Sequence, residues 1–188
     1  VSPTHKEGKN RGNAMKETMH YGFILAMICV IASGLLAGMN YLTKARIIAQ
    51  AQAEEEAALR EVIPQGEHFE PIKKGEDIIY YKVRNKEGRF IGVAFKTSGK
   101  GYSSVIDTLV GMSQDGTIVA IKILNQNETP GLGARIAESS FTGRFTNKNI
   151  QGLNDVQAIT GATISSKAVI DSVQAKVKEI QEVIRNER

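Results

Sequence analysis

The chain has 188 residues, of which 41% are hydrophobic and 23% charged, and its formal net charge is +4. That length accommodates one folded domain with an appendage, and because the basic residues are scattered, the composition does not favour a nucleic-acid-binding protein. Cys29 is the only cysteine, so the chain forms no internal disulfide and holds no iron–sulfur cluster by itself, and the three histidines lack metal-ligand spacing. If the protein carries electrons, an organic cofactor must carry them.

An uncharged apolar run, GFILAMICVIASGLLAGMNYL, occupies residues 22–42. A helix needs about 20 apolar residues to cross the hydrocarbon core of a membrane. The run is too long for a typical secretory signal, and Tyr21 and Tyr41 lie at its ends, where aromatic rings favour the membrane interface. The sequence therefore predicts a transmembrane helix, which we place at residues 21–43.

Flanking charges orient this helix in the membrane. Four basic residues precede it, namely Lys6, Lys9, Arg11 and Lys16. Only Lys44 and Arg46 closely follow it, before an acidic run at residues 54–56. Because positive residues favour the cytoplasmic side, we expect residues 1–20 to form a cytoplasmic N-terminal tail. The polar residues 1–14 are predicted to be disordered.

A helical stalk is expected after the membrane helix. Residues 43–61 are rich in Ala, Glu, Gln and Arg, which favour a helix, and Pro64 and Gly66 end the pattern. We therefore assign residues 44–65 to the stalk and residues 66–188 to an extracytoplasmic domain.

Turn residues and apolar alternation predict an antiparallel sheet in this domain. We expect strands at residues 78–84, 89–97, 103–112 and 117–124. Asp115 and Gly116 have the composition of a hairpin turn, and the glycines at 99 and 101 are expected to end the second strand.

The segment after the strands has a weaker pattern at first. A short helix is expected at residues 134–140 and a short strand at residues 155–160. From about Ser165 the chain predicts an amphipathic helix, whose apolar stripe contains Val169, Val173, Val177, Ile180 and Ile184. Because strands precede helices, the predicted fold class is α+β: one N-terminal transmembrane helix, then a small antiparallel-sheet domain with a C-terminal helix.

The sequence TGATISS, residues 160–166, lies where the predicted short strand gives way to the last helix. Gly161 permits a backbone conformation that a side chain disfavours, and Ser165 or Ser166 can cap the helix. Helix N-termini attract anions, and several hydroxyls at such a terminus suit a phosphate. A capped helix start with nothing bound is an equally good interpretation of these residues alone.

Two glycine-rich loops favour a bound ligand. The loop ETPGLG, residues 128–133, contains glycines that let the main chain approach a flat ligand, and Leu132 can lie against a ring face. A wide turn between a strand and a helix is the alternative. Residues 99–104 form another such loop, to which Tyr102 adds an aromatic ring. With TGATISS, these loops favour a planar, phosphorylated cofactor without saying which.

At these residues the chain resembles a known family. The strand pattern of residues 101–124, followed by ETPGLG and TGATISS, is similar to the extracytoplasmic FMN-binding domain. With a single N-terminal membrane helix, the best match is the RnfG family of Rnf electron-transport complexes, and the resemblance covers most of residues 20–185. The family signature is Ser/Thr-Gly-Ala-Thr-x-Ser/Thr, which residues 160–165 fit.

The resemblance implies a covalent cofactor. FMN would be joined by a phosphoester to Thr163, installed outside the cell membrane by a flavin transferase that uses FAD and magnesium. Thr163 is then an attachment point, and no residue of the chain is catalytic in turnover. The other cofactor-binding residues that the resemblance implies are Thr160, Gly161, Ala162, Ser165, Ser166, Glu128, Thr129, Gly131, Leu132 and Gly133. Tyr102 and Ser103 are further candidates, for which packing at the start of a strand is the alternative.

The resemblance also implies a function. The chain would be an electron-relay subunit of a cytoplasmic-membrane complex that couples electron flow between reduced ferredoxin and NAD⁺ to sodium or proton movement. Its partners would be the other membrane and iron–sulfur subunits, and no complete active site is expected on this chain alone. The alternatives are the related flavin-domain subunit of a sodium-translocating NADH:quinone reductase, a free-standing extracytoplasmic flavoprotein reductase, and a binding module without redox chemistry.

Overall fold

The computed structural model describes residues 7–186, and the side chains of residues 19–40, 43, 44, 50 and 52–185. Helix α1, Glu7–Val62, contains a segment at Met19–Asn40 that is long and apolar enough to cross a membrane. The prediction of disorder is wrong for residues 7–14, which belong to helix α1, because extending a helix that is already nucleated costs less than starting one. The rest of that predicted segment, residues 1–6, lies outside the described part of the chain.

The sheet has five antiparallel strands in the order of the chain. They are β1 (His68–Lys74), β2 (Asp77–Arg84), β3 (Phe90–Lys100), β4 (Val105–Ser113) and β5 (Ile118–Asn125). The four predicted strands are confirmed as β2 to β5, and the turn at Asp115 and Gly116 joins β4 to β5 as expected. The α+β fold class is confirmed.

The structure departs from the predicted strands in two places. Strand β1 was missed because its sequence, HFEPIKK, combines charges with Pro71, and such a strand is tolerated at the edge of a sheet. Strand β3 continues through Gly99 to Lys100 instead of ending, and Lys100 pairs with Val105. The connection between β3 and β4 is therefore short, residues 101–104, and we call it the β3–β4 turn.

Short helices follow the sheet. The predicted helix at residues 134–140 is divided into a 3-10 helix, Gly133–Ala137, and helix α2, Ser139–Thr142. The predicted strand at residues 155–160 is wrong. A 3-10 helix, Gly152–Asp155, enters this segment, and its apolar residues Val156 and Ile159 are buried in the core without a neighbouring strand.

Helix α3, Thr163–Asn186, covers one face of the sheet. The predicted stripe is confirmed, since Val169, Val173, Val177 and Ile180 are fully buried or nearly so, and Ile184 packs against the same core. The other face is covered by the last turns of α1, where Leu59 and Val62 are buried. A compact unit therefore begins at Ala53, before the end of the α1 helix.

Candidate cofactor site

The TGATISS segment forms a tight turn and then the first turn of α3. The Ala162 N–H donates to the Ile159 carbonyl at 3.0 Å, and Gly161 has φ +82, in the left-handed region that favours glycine. The helix begins at Thr163, two residues earlier than predicted. Thr160 and Thr163 are both exposed, so two hydroxyls face solvent at the N-terminal end of α3.

The prediction that Ser165 or Ser166 caps α3 is wrong. Both serines lie inside the first turn of the helix and are buried. The Ser166 hydroxyl accepts a hydrogen bond from the Ile159 N–H at 3.0 Å, and the Ser165 hydroxyl donates to Glu128 at 2.6 Å. Each serine hydroxyl bonds a residue outside the helix rather than a free N–H at the helix start. The two serines therefore attach the start of α3 to the neighbouring segments.

The ETPGLG loop, residues 128–133, lies beside this helix start. The N–H groups of Leu132 and Ala134 both donate to the Thr129 carbonyl at 3.2 Å, and Gly131 has φ +74. Gly133 is buried where a Cβ would stand 2.7 Å from the Ser165 hydroxyl oxygen, so only glycine lets the loop come this close to α3. The loop leaves the Leu132 side chain 52% exposed.

Glu128 is the buried charge of the site. Burial raises the pKa of its carboxyl, but hydrogen bonds from Ser165 and from the backbone N–H groups of Ser104, Ser103 and Tyr102 lower it by more. The net pKa lies below the ordinary value, so the carboxylate is ionised at neutral pH. The backbone N–H groups of Tyr102 and Ser103 thus bind the Glu128 carboxylate, a contact that residue type does not indicate.

These segments enclose an open cavity of about 530 Å³. Its lining comes from the β3–β4 turn, the ETPGLG loop and the start of α3, and consists of Tyr102, Glu128, Thr129, Leu132, Gly133, Gly161, Ala162, Thr163, Ile164 and Ser165. Nine of these ten are residues that the sequence singled out, and Ile164 is the one that it missed. The signal for Ile164 was an apolar residue inside a run of hydroxyls, and its side chain is 55% exposed.

Four of the predicted residues do not line the cavity. Thr160 and Gly131 lie outside the lining, and both are exposed. Ser103 reaches the site only through the Glu128 carboxylate, and Ser166 is buried beneath the helix start.

The cavity combines an apolar rim with a polar end. Tyr102, Leu132 and Ile164 are exposed large side chains around it, and such groups suit the faces of a flat ring system. Thr163 presents its hydroxyl where the free N–H groups of the helix favour an anion. The arrangement can hold a planar molecule that carries a phosphate.

Comparison with known proteins agrees with this chemistry. Residues 101–178 match the FMN-binding domain, and residues 13–62 match the RnfG N-terminal region. The G-type subunit of the Na⁺-translocating ferredoxin:NAD⁺ oxidoreductase complex of Acetobacterium woodii is 31% identical over 192 residues, covering 88% of this chain and 93% of that one. The chain belongs to the RnfG family of ion-translocating oxidoreductase complexes.

Other members of the RnfG family are similar over most of their length. The G-type subunit of the ion-translocating oxidoreductase complex of Methanosarcina acetivorans is 33% identical over 168 residues, covering 81% of this chain and 89% of that one. The crystal structure of Shewanella oneidensis NqrC is a more remote neighbour, with 18% identity, a TM-score of 0.45, and coverage of 64% of this chain and 74% of that one.

The site of this RnfG family member fits FMN. The match to the FMN-binding domain contains all three segments that form the cavity, residues 101–104, 128–133 and 160–166. The apolar rim suits a flat ring, and the free N–H groups at the start of α3 suit a phosphate.

Proposed function

We propose that this chain is an FMN-carrying electron-relay subunit of an ion-translocating ferredoxin:NAD⁺ oxidoreductase complex, with FMN joined by a phosphoester to Thr163. The observation that carries the proposal is the position of Thr163. Its exposed side chain lies at the first residue of α3 and on the wall of a cavity with an apolar rim. The similar subunit of Acetobacterium woodii belongs to a ferredoxin:NAD⁺ oxidoreductase complex, which supports the proposed redox reaction. The match to the FMN-binding domain supports the proposed cofactor.

The apolar rim and the polar end of the cavity would bind different parts of FMN. The start of α3 would hold the phosphate, since its first N–H groups have no partner within the helix. Leu132, Tyr102 and Ile164, which line the cavity, would contact the ring at the apolar rim. Bound FMN supplies the acceptance and release of electrons, singly or in pairs, and the protein supplies its position and electrostatic surroundings.

Attachment needs a hydroxyl that an enzyme can reach. The Thr163 oxygen forms a bond to the FMN phosphorus of FAD, the pyrophosphate bond of FAD breaks, AMP leaves, and the hydroxyl proton is released. The chain itself offers the exposed hydroxyl at a tight turn, and a flavin transferase outside the cell performs the transfer. The tether keeps the cofactor from being lost into the outer compartment.

The same proposal places the protein in the cytoplasmic membrane. The segment Met19–Asn40 crosses the membrane once, with the N-terminus in the cytoplasm and the domain from Ala53 onward outside. Its partners are the other membrane subunits and the iron–sulfur subunits of the complex. Co-purification of subunits with ferredoxin-type clusters, rather than of a quinone-linked set, is the expected result of mild solubilisation.

Intact mass of the protein from its native membrane tests the attachment. We expect a gain of one FMN less one water, located on the peptide that contains Thr163. Thr163→Ala removes this mass and the in-gel flavin fluorescence, whereas Thr146→Ala, which removes the side chain of an exposed threonine outside the cavity lining, retains both. A native chain without the added mass, or with the mass on another residue, contradicts the proposed attachment.

Activity tests the relay. Membranes that contain Thr163→Ala in place of the wild-type chain are expected to lose ferredoxin:NAD⁺ oxidoreduction, while membranes with Thr146→Ala keep it. If Thr163→Ala membranes retain the wild-type rate, the relay role is wrong, even if the wild-type chain carries FMN on Thr163.

A further inference from the structure

The Glu128 carboxylate accepts hydrogen bonds from two other segments of the site. One carboxylate oxygen accepts from the backbone N–H groups of Ser103 at 3.0 Å and Ser104 at 2.9 Å. The other accepts from the Tyr102 N–H at 3.2 Å and from the Ser165 hydroxyl at 2.6 Å. The β3–β4 turn and the first turn of α3 are thus bound to one side chain of the ETPGLG loop.

The surrounding backbone encloses this carboxylate. Glu128 is only 6% exposed. A Cβ at Gly101 would stand 2.5 Å from one carboxylate oxygen, and a Cβ at Gly133 would stand 2.8 Å from the other. Both glycines therefore make the space that the carboxylate fills, and they occur in two different loops of the site.

From this geometry we propose that Glu128 is a positioning residue, which fixes the first turn of α3, and with it Thr163, through the Ser165 hydroxyl. Ser165 is two residues after Thr163 on that turn, and the first turn of a helix has few backbone hydrogen bonds of its own. The Glu128–Ser165 hydrogen bond holds that turn against a loop 37 residues earlier in the chain. It operates whether or not a cofactor is attached.

Glu128 is also one of the residues that line the cavity, so its negative charge lies close to the cavity. A second role rests on the proposed FMN function. A buried carboxylate disfavours the addition of an electron to a ring beside it, because the charges repel in a poorly screened environment. Glu128 therefore lowers the reduction potential of the bound flavin.

Two substitutions separate the two roles. Ser165→Ala removes the hydrogen bond to the helix and keeps the charge. Glu128→Gln removes the charge and keeps the size. Its amide N–H₂ can donate to the Ser165 oxygen, since a hydroxyl both donates and accepts, but it no longer accepts from the Tyr102 N–H. Ser172→Ala is the control for the first, because it is the same change on the same helix with a different partner, the Val169 carbonyl. Glu138→Gln is the control for the second, because this carboxylate is exposed and outside the cavity lining.

Hydrogen exchange of the full-length chain in detergent micelles, produced in a host without the transferase, tests the positioning role. We expect Ser165→Ala to accelerate exchange of the amides of Ser166 and Lys167 by about tenfold, which corresponds to about 1.4 kcal/mol for one lost hydrogen bond. Ser172→Ala leaves these amides at the wild-type rate. Equal rates at these amides in Ser165→Ala and wild type would overturn the positioning role.

Attachment and potential are then measured with the purified transferase and FAD. Ser165→Ala is expected to accept FMN more slowly than Ser172→Ala and to show the wild-type potential once loaded. Glu128→Gln is expected to show a more positive potential than Glu138→Gln, and an unchanged or more negative potential would overturn the electrostatic role. If the wild-type chain accepts no FMN, the proposed function fails, and the exchange result still decides the positioning role.

Discussion

A Cβ on Gly99 would stand 2.3 Å from the backbone oxygen of Ala168, so β3 and α3 approach at a distance that only glycine permits. Gly99 is the last residue but one of β3, and Ala168 lies five residues after the start of α3. The contact therefore brings the beginning of the helix to the end of the sheet where the β3–β4 turn lies. The cavity forms at this corner.

Replacing Gly99 by alanine is expected to destabilise the domain. The added methyl group meets backbone atoms of α3 rather than a flexible side chain, so the helix must shift. Overpacking of this kind costs about 1–3 kcal/mol. Urea unfolding of the full-length chain in detergent, followed by circular dichroism, measures the loss. Gly143→Ala is the control, since this glycine has helical dihedral angles and no atom within 4 Å of the added Cβ.

Gly161→Ala tests the turn before α3. Its φ of +82 strains any side chain, and alanine in the left-handed region costs about 1–2 kcal/mol. We expect lower unfolding free energy and slower attachment of FMN to Thr163. Gly161→Asn should lie nearer to wild type, because asparagine tolerates this conformation better. Equal attachment rates for the alanine variant and the wild type would show that the turn does not set the position of the hydroxyl.

Local patterns were enough to predict most of the fold. The apolar stripe of α3 and the turn at Asp115 and Gly116 depend on neighbouring residues only, and both are confirmed. The strand predicted at residues 155–160 failed because Val156 and Ile159 contribute to the core without pairing to another strand. A short apolar segment has the same sequence pattern whether its buried residues lie in a strand or in an irregular segment.

The candidate site shows the same limit. Nine of the ten residues that line the cavity were predicted from the glycine-rich loops, the hydroxyls at a helix start and the family resemblance. The prediction that Ser165 or Ser166 caps α3 was wrong, because the partners of their hydroxyls, Glu128 and Ile159, are set by tertiary structure. A hydroxyl near the start of a helix has the same sequence signature whether it caps the helix or binds a residue elsewhere in the fold.

The last turns of α1 are part of the folded domain rather than a spacer. Leu59 is 2% exposed and packs with Tyr81, Val83 and Leu109 on the sheet. Leu59→Ala is therefore expected to reduce the unfolding free energy by about 2–5 kcal/mol. Glu56→Ala changes an exposed residue one turn earlier and should change it little. If both variants unfold at the wild-type urea concentration, the helix end does not stabilise the sheet.

Glu55 gives the domain a dependence on pH. Burial raises the pKa of Glu55, but hydrogen bonds with Lys96 and with the Tyr81 hydroxyl, together with the charge of Lys96, lower it below its ordinary value of 4.5. A carboxyl with a lower pKa in the folded state stabilises the fold above its unfolded-state pKa, and this contribution is lost as pH falls through the folded pKa. Glu55→Gln should therefore destabilise most at neutral pH.

Urea unfolding at a series of pH values measures this effect. The difference between wild type and Glu55→Gln is expected to narrow as pH falls below 4.5, the ordinary pKa of the carboxyl. Glu56→Gln is the matched control, because its carboxylate is exposed on the same helix turn. A difference that is constant over this range would assign the effect of Glu55 to packing rather than to its charge.

Leu132 is expected to hold the ring without affecting the attachment. Its side chain is half exposed at the cavity rim and lies 3.7 Å from the position of a Cβ on Gly161. Replacing Leu132 therefore does not change the residue that carries the acceptor hydroxyl, Thr163. Leu132→Ala should therefore carry as much covalent FMN as wild type but show stronger iodide quenching and lower anisotropy of flavin fluorescence. Leu124→Ala, an exposed apolar residue on β5 outside the cavity, controls for general surface changes. Because the tether and the ring contact involve different residues, a loss of attachment in Leu132→Ala would show that this side chain also positions the acceptor hydroxyl.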